Sequence, residues 1–182
     1  GGYPAYYEKM KTYANILPGP ARALDPKATA TTFPPVVEED EALPFRYLDT
    51  ASTRARIGAV VDKLAREQLA IVGLGGTGSY VLDLVAKTPV ARIDLYDGDV
   101  LLTHNAFRAP GATSVEVLRE SPNKADHWAA AYNPLRRGIV AHPHDIDGSN
   151  VDLLRSATFV FITMDAGPEK RVILERLEEW AI

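Results

Sequence analysis

Hydrophobic positions follow two regimes along the chain. From residue 54 onward, short apolar runs without alternation occupy 69–72, 91–96, 139–142 and 159–163, the pattern of strands buried on both faces. Between them the apolar period becomes helical. Ile57, Val60, Val61 and Leu64 predict a helix over 52–67, and Val81, Leu82 and Val85 predict one over 79–87. Further helices are expected over 123–132, 151–155 and 168–180. Pro168 opens the last of these, where its missing N–H costs nothing. A long loop separates 96 from 123 and passes through Pro110 and Gly111. Before residue 46 the pattern differs. Tyr3, Tyr6, Tyr7 and Tyr13 line a short helix, with Ile16 and Leu17 nearby. Pro18, Pro20, Pro26, Pro34, Pro35 and Pro44 follow, with the acidic run Glu38-Glu39-Asp40-Glu41, and 18–45 reads as a linker or extended arm.

Alternating strands and helices with non-alternating strands define an α/β fold: a Rossmann-like, mostly parallel sheet with helices on both faces. About four strands are visible, fewer than an open doubly wound sheet usually carries. The domain is therefore expected to be incomplete at its C-terminal end. The expected organisation is an arm over 1–45, the tail of an upstream domain, and a nucleotide-binding domain over 46–182.

Composition narrows the function classes. The 182 residues are 46% hydrophobic and 24% charged, the balance of a soluble globular protein. A formal net charge of -4 argues against general nucleic-acid binding, which needs a basic excess. The absence of cysteine removes disulfides, thiolate metal sites and cysteine nucleophiles. No apolar run approaches the length of a membrane span, and Gly1-Gly2-Tyr3-Pro4 lacks the basic start of a signal peptide. The expected location is the cytoplasm.

The most informative stretch is Ile71-Val72-Gly73-Leu74-Gly75-Gly76-Thr77-Gly78-Ser79. Gly73, Gly75 and Gly78 have G-x-G-x-x-G spacing between a strand and a helix, with Gly76 adding a fourth glycine. Such a loop permits a tight turn, close approach of a phosphate to the backbone, and close packing of helix on strand. The helix N-terminus then presents free N–H groups to an anion. Asp97 closes the second strand, placed to accept hydrogen bonds from ribose hydroxyls, and Asp99 follows it. An Asp-Gly turn at a strand end is the structural alternative. To this point a dinucleotide oxidoreductase and an ATP enzyme fit equally.

The next residues separate them. Asp97-Gly98-Asp99, Asn105-Ala106-Phe107-Arg108, Pro122-Asn123-Lys124 and Met164-Asp165 follow the glycine loop in order. With that loop, they resemble the ThiF/MoeB superfamily of ubiquitin-activating-enzyme-like adenylyltransferases, over roughly 54–182. The wording of the loop is similar to a bacterial branch associated with ubiquitin-like proteins. The resemblance implies ATP and Mg²⁺ as cofactors. It implies that Asp97 holds the ribose, that Asn105, Arg108 and Lys124 contact the phosphates, and that Asp165 binds Mg²⁺. It further implies an arginine before the first strand that reaches the partner subunit's ATP. Arg54 is the candidate, with Arg46 and Arg56 close by, although the family's Arg-Gln pair is absent. The expected activity is Mg·ATP-dependent adenylation of the C-terminal carboxylate of a ubiquitin-like or sulfur-carrier protein, by a homodimer that also meets a conjugating enzyme.

Singly, each residue has a plainer reading: Arg108 as a loop ion pair, Lys124 as a solvated first-turn lysine, Asp165 as a helix N-cap. Two departures from the family stand out. No cysteine is present for a thioester step, and Ala109 replaces the usual glutamine after Arg108. The alternatives kept open are an NAD(P)-dependent oxidoreductase and a non-catalytic module that binds ubiquitin-like proteins. His142-Pro143-His144-Asp145 resembles a metal cluster on paper but reads as a strand end. Trp128 and Trp180 read as core or interface anchors, and the Glu/Lys/Arg series over 169–179 as a solvated helix face.

Overall fold

The computed structural model describes residues 2–29, 36–41 and 43–182. Its contacts divide it into two units, Gly1–Val36 and Val37–Ile182.

The first unit holds helices α1 (Tyr6–Ile16) and α2 (Pro18–Leu24), neither of which buries a residue. Tyr3 and Tyr13 meet edge to face, with ring centroids 6.1 Å apart. The extended arm expected from residue 18 is helical over Pro18–Leu24. Pro18 and Pro20 both fall in the first turn. Their missing donors and fixed φ are tolerated there, while Pro18 interrupts the path continued from α1. Pro34 and Pro35 lie outside the described residues.

The second unit begins with a strap. Val37 bridges Tyr47 and Phe45 bridges Arg136, both antiparallel. Arg137 secures the strap, donating to the carbonyls of Phe45 at 2.9 Å and Glu38 at 3.1 Å. Where one helix is expected over 52–67 there are two, α3 (Thr50–Ala55) and α4 (Gly58–Leu64). The Asp49 side chain caps α3 by accepting from Ala51 and Ser52 N–H, and Arg56 ends it at φ 57. A left-handed residue stops the first helix, and the apolar stripe then falls on or beside the second.

Four strands follow: β1 (Gln68–Val72), β2 (Arg92–Tyr96), β3 (Ile139–His142) and β4 (Phe159–Ile162). They form one parallel sheet in the order β3-β2-β1-β4. Helix α5 (Gly76–Val85) connects β1 to β2, and α6 (Thr103–Ala106), α7 (Val115–Glu120) and α8 (Lys124–Tyr132) lie between β2 and β3. A 3₁₀ turn (Val151–Ser156) precedes β4, and α9 (Pro168–Trp180) follows it. The expected loop after β2 therefore contains α6 and α7, each too short to show a period in the sequence.

Side-chain alternation sorts the core into two layers. Leu69, Ile71, Ile93 and Leu95 pack with Leu82, Ala86, Ala125 and Trp128 on one face. Ala70, Val72 and Tyr96 pack with Ile146, Leu154, Ile173 and Leu177 on the other. Each fully buried Leu or Ile contributes about 1.5–3 kcal/mol relative to exposure. The two layers thus hold both faces of the sheet and explain why β1 is apolar over 69–72 and β2 buries Ile93, Leu95 and Tyr96. Trp128 belongs to the first layer and Trp180 flanks the second. The polar face of α9 carries exposed ion pairs, Arg171–Glu175 and Arg176–Glu179, both at 2.8 Å. Among the described residues, no helix is long and apolar enough to cross a membrane.

The β1 connection turns toward β2, whereas β4 lies on the other side of β1. The C-terminal ends of β1 and β4 thus flank the point where strand order reverses, where open α/β sheets leave a crevice for ligands.

Candidate functional site: a polar cavity at the strand ends

The strand ends converge on a cavity of about 660 Å³. Gly73, Gly75 and Gly76 line it from the β1–α5 turn, Asp97 and Asp99 from the end of β2, His104, Asn105 and Arg108 from α6 and the residues after it, Lys124 from α8, and Asp165 from beyond β4. The volume suits a small-molecule ligand.

The turn is built by two glycines. Gly73 has φ 91, and a Cβ there would lie 2.7 Å from the Met164 backbone nitrogen. A Cβ on Gly78 would sit 1.9 Å from the Gly73 carbonyl oxygen. Gly78 is buried in the seam between α5 and the loop and does not face the cavity. Thr163 locks the turn to β4: its hydroxyl donates to the carbonyls of Gly73 at 2.5 Å and Val72 at 3.1 Å. Ser79 ties the first turn of α5 by donating to Gly75 O at 2.8 Å and Gly76 O at 3.0 Å.

The two acidic residues at the end of β2 differ. Asp97 is buried, 6% exposed. Its Oδ2 accepts from the Leu74 N–H at 2.6 Å and its Oδ1 from the Asp99 N–H at 2.9 Å. Asp99 is exposed, and its Oδ2 accepts from the Lys124 ammonium at 2.6 Å. The same ammonium lies 3.5 Å from Asp97 Oδ1. Lys124 is 7% exposed, a buried cation rather than the solvated first-turn lysine of the plainer reading. Asn123 positions it. The Asn123 side-chain oxygen Oδ1 caps α8, accepting from Ala125 N–H at 2.7 Å, and its side-chain Nδ2 donates to Asp97 O at 2.9 Å and Asp99 O at 3.0 Å.

Asn105 is buried, and its side-chain oxygen accepts from the Leu102 N–H at 2.9 Å. Arg108 is exposed and forms no ion pair among the described residues. Asp165 is exposed and does not cap α9, whose N-cap is Gly167. Arg54 lies in the last turn of α3, exposed and outside the cavity lining.

Below the cavity, Asp94 receives two hydrogen bonds from Arg92, at 2.6 and 2.8 Å. His142 Nε2 lies 2.6 Å from Asp94 Oδ1, and the His142 ring stacks on Tyr96 with centroids 4.4 Å apart. Burial alone would raise the Asp94 carboxyl, but the bonds to Arg92 and His142 outweigh it and hold the group below its usual range. Burial, with the Asp94 charge, pushes the Tyr96 phenol up to about 12. His142 is thereby committed to the sheet. Among the described residues, no group of three or more His, Asp or Glu is arranged to hold a metal ion.

Several lining residues were given no role at the site by the sequence reading: Tyr80, Thr163 and Ile146, together with Met164, named only beside Asp165, and Asp145, read as part of a strand end, whose carboxylate accepts from the Gly98 N–H at 2.9 Å. Their shared signal is position, within a few residues of a strand's C-terminal end or in the first turns of α5.

A doubly wound α/β domain with a glycine turn at its switch point is a nucleotide-fold architecture. The ThiF family matches residues 50–178, and the chain belongs to that family. A domain of unknown function, DUF6791, matches residues 1–50. Among solved structures, the chain is similar to E. coli tRNA N6-threonylcarbamoyladenosine dehydratase, TcdA, in complex with ATP, with TM-score 0.61 and 22% identity over 74% of this chain and 58% of that one. It is similar to PaaA, with TM-score 0.58 and 20% identity over 69% of this chain and 41% of that one. It is also similar to E. coli MccB crystallised with MccA-N7isoASN, with TM-score 0.53 and 20% identity over 73% of this chain and 39% of that one. At these identities the likeness is one of fold. The chain spans a little over half of TcdA's length and about two fifths of the other two. No curated protein matches it.

Proposed function

We propose that this chain carries the nucleotide site of an Mg·ATP-dependent adenylyltransferase, acting on the C-terminal carboxylate of a ubiquitin-like or sulfur-carrier protein. One observation carries the reading. A single cavity collects the backbone of Gly73, Gly75 and Gly76, a buried lysine, an arginine without an ion pair among the described residues, a buried asparagine and four carboxylates. A hydride-transfer site has no joint use for Arg108, Lys124, Asn105 and Asp165. Family membership and the ATP in the TcdA structure support the same choice.

In this reading the amides of Gly75 and Gly76, at the N-terminus of α5, receive the phosphates, while the Gly73 and Leu74 N–H groups stay on Tyr96 O and Asp97. Lys124 supplies a point charge and Arg108 a forked contact. The ribose lies at the end of β2 beside Asp97 and Asp99. A carboxylate oxygen of the acceptor attacks the α-phosphorus, the bond to the pyrophosphate oxygen breaks, and pyrophosphate leaves with its charge held by Arg108 and Lys124. Most of the catalysis is positioning and charge stabilisation. The lining fits a divalent cation shared with the ligand. Four carboxylates (Asp97, Asp99, Asp145, Asp165) face two fixed cations (Arg108, Lys124), so the cavity is net negative before a polyanion enters. Asp165 offers an exposed oxygen of the kind Mg²⁺ takes alongside phosphate oxygens. The bound ion would neutralise charge on the leaving group. Arg54, exposed and outside the cavity, is available to the second subunit of a homodimer. A conjugating enzyme and a cytoplasmic location complete the reading.

ATP–pyrophosphate exchange tests it. The expected result is exchange that depends on Mg²⁺ and on a carrier protein with a free C-terminal carboxylate, and that stops when the carboxylate is amidated. Binding of NAD(P) without exchange would assign the cavity to an oxidoreductase. Carrier binding without exchange would assign it to a docking module.

A further inference from the structure

The two carboxylates of Asp97-Gly98-Asp99 are two residues apart in sequence and opposite in circumstance. Asp97 is buried, with each oxygen fixed by a backbone N–H, one of them from Leu74 inside the glycine turn. Moving it would leave two inward-pointing amides without acceptors. Asp99 has a side chain 75% exposed, and among the described residues only the Lys124 ammonium, at 2.6 Å, holds its carboxylate. Lys124 has the reverse balance: its side chain is 8% exposed, and its backbone is pinned by Asp99 O at 2.9 Å and its helix by Asn123. The ammonium therefore cannot leave, and the Asp99 carboxylate can. An ammonium has three donors, and the two aspartates answer it from the same strand end.

We propose that Asp99 is a built-in counter-ion for Lys124, displaced when a phosphate group of the ligand enters the cavity, while Asp97 stays in place as the residue that positions the glycine turn. This deepens the nucleotide-site reading and rests on it. Physically, the site stores its buried lysine as an ion pair and exchanges one anion for another on binding, so the ammonium is never desolvated and unpaired. Part of the intrinsic attraction of Lys124 for phosphate is spent on releasing Asp99. Asp99 is accordingly a positioning residue whose removal strengthens anion binding, a result that structural damage does not produce.

The test is calorimetric titration of inorganic pyrophosphate, without divalent metal, into the whole protein, with Mg·ATP as a second titrant. Asp99→Asn should bind pyrophosphate about two- to fivefold more tightly than wild type, the range an ion pair with an exposed, solvent-screened carboxylate supports. Asp97→Asn should bind it at least about tenfold more weakly, because a buried charged acceptor is lost from the turn. Placing Asp99→Asn on a Lys124→Met background should erase the gain. Asp99 is exposed, so its variant folds and decides the matter even where Asp97→Asn does not. Equal or weaker pyrophosphate binding by Asp99→Asn, or a gain that persists without Lys124, overturns the counter-ion proposal alone. A wild type that binds neither pyrophosphate nor Mg·ATP overturns both the proposal and the reading beneath it.

Discussion

Replacing Gly78 by alanine adds one carbon at the described glycine with the least room for it. The added Cβ would lie 1.9 Å from the Gly73 carbonyl oxygen and 2.6 Å from the Thr163 hydroxyl. Carbon and oxygen approach to about 3.3 Å even in favourable C–H···O contacts, so α5 or the turn must retreat by roughly 1.4 Å. Neither is free to do so. Leu82 anchors α5 with no exposed surface, and Thr163 holds the Gly73 carbonyl that the new carbon strikes. Overpacking of this kind costs about 1–3 kcal/mol. In a chain of this size that is a fall of roughly 2–12 °C in melting temperature. The same retreat moves Gly75 and Gly76 away from the cavity, and a misplacement near 1 Å costs on the order of a hundredfold in a positioned reaction. Calorimetric melting gives the first quantity, and the ATP–pyrophosphate exchange rate of the folded variant gives the second. A Gly78→Ala protein with wild-type melting and a wild-type exchange rate would refute the reasoning, because it would show that the seam between α5 and the turn is loose.

Three other perturbations discriminate among roles. Arg108→Ala should leave stability within about 0.5 kcal/mol, since the side chain is exposed and unpaired, yet weaken Mg·ATP binding by about ten- to a hundredfold, read by titration. Arg136→Met should destabilise by about 2–4 kcal/mol. The buried guanidinium donates to the carbonyls of Thr88, Val90 and Arg137, and these lose their donors; an unchanged urea midpoint would contradict this. Asp94→Asn addresses pH. The native carboxyl lies below its usual range, so its contribution is complete above about pH 4 and is lost as pH falls through the native value. The stability difference between wild type and variant, from urea unfolding at several pH values, should therefore shrink under acid, and a difference that widens there would contradict the assigned partners.

The sheet and its helical layers were legible because both signals are local. Non-alternating runs at 69–72, 91–96, 139–142 and 159–163 match β1 to β4 to within a residue at either end. The helix opened by Pro168 has the bounds read from the sequence. Elements that depend on capping or on neighbours were not legible. The break at Arg56 needs a left-handed residue that no glycine announces, and α6 and α7 are too short for a period. Helix α2 was hidden because its prolines are informative only once their place in the first turn is known. At the cavity, the glycine spacing and Asp97 could be read from their place at strand ends, whereas Asn105, Arg108, Lys124 and Asp165 were named through the family resemblance; all of them line the cavity. The unequal burial of Asp97 and Asp99 could not, since both are aspartates in one tripeptide and tertiary packing alone distinguishes them. Thr163 and Asn123 were passed over for a similar reason: each acts through the backbone of another segment.

The claim on which the account depends is that this cavity receives a triphosphate. Thermal unfolding with saturating Mg·ATP, and separately with NAD, tests it most directly, because a ligand that binds the native state raises the midpoint by mass action. At a thousandfold excess over its dissociation constant, Mg·ATP should contribute about 4 kcal/mol, a rise of roughly 8–16 °C for a domain of this size. NAD should leave the midpoint where it is. A midpoint raised by NAD and unmoved by Mg·ATP would contradict the account.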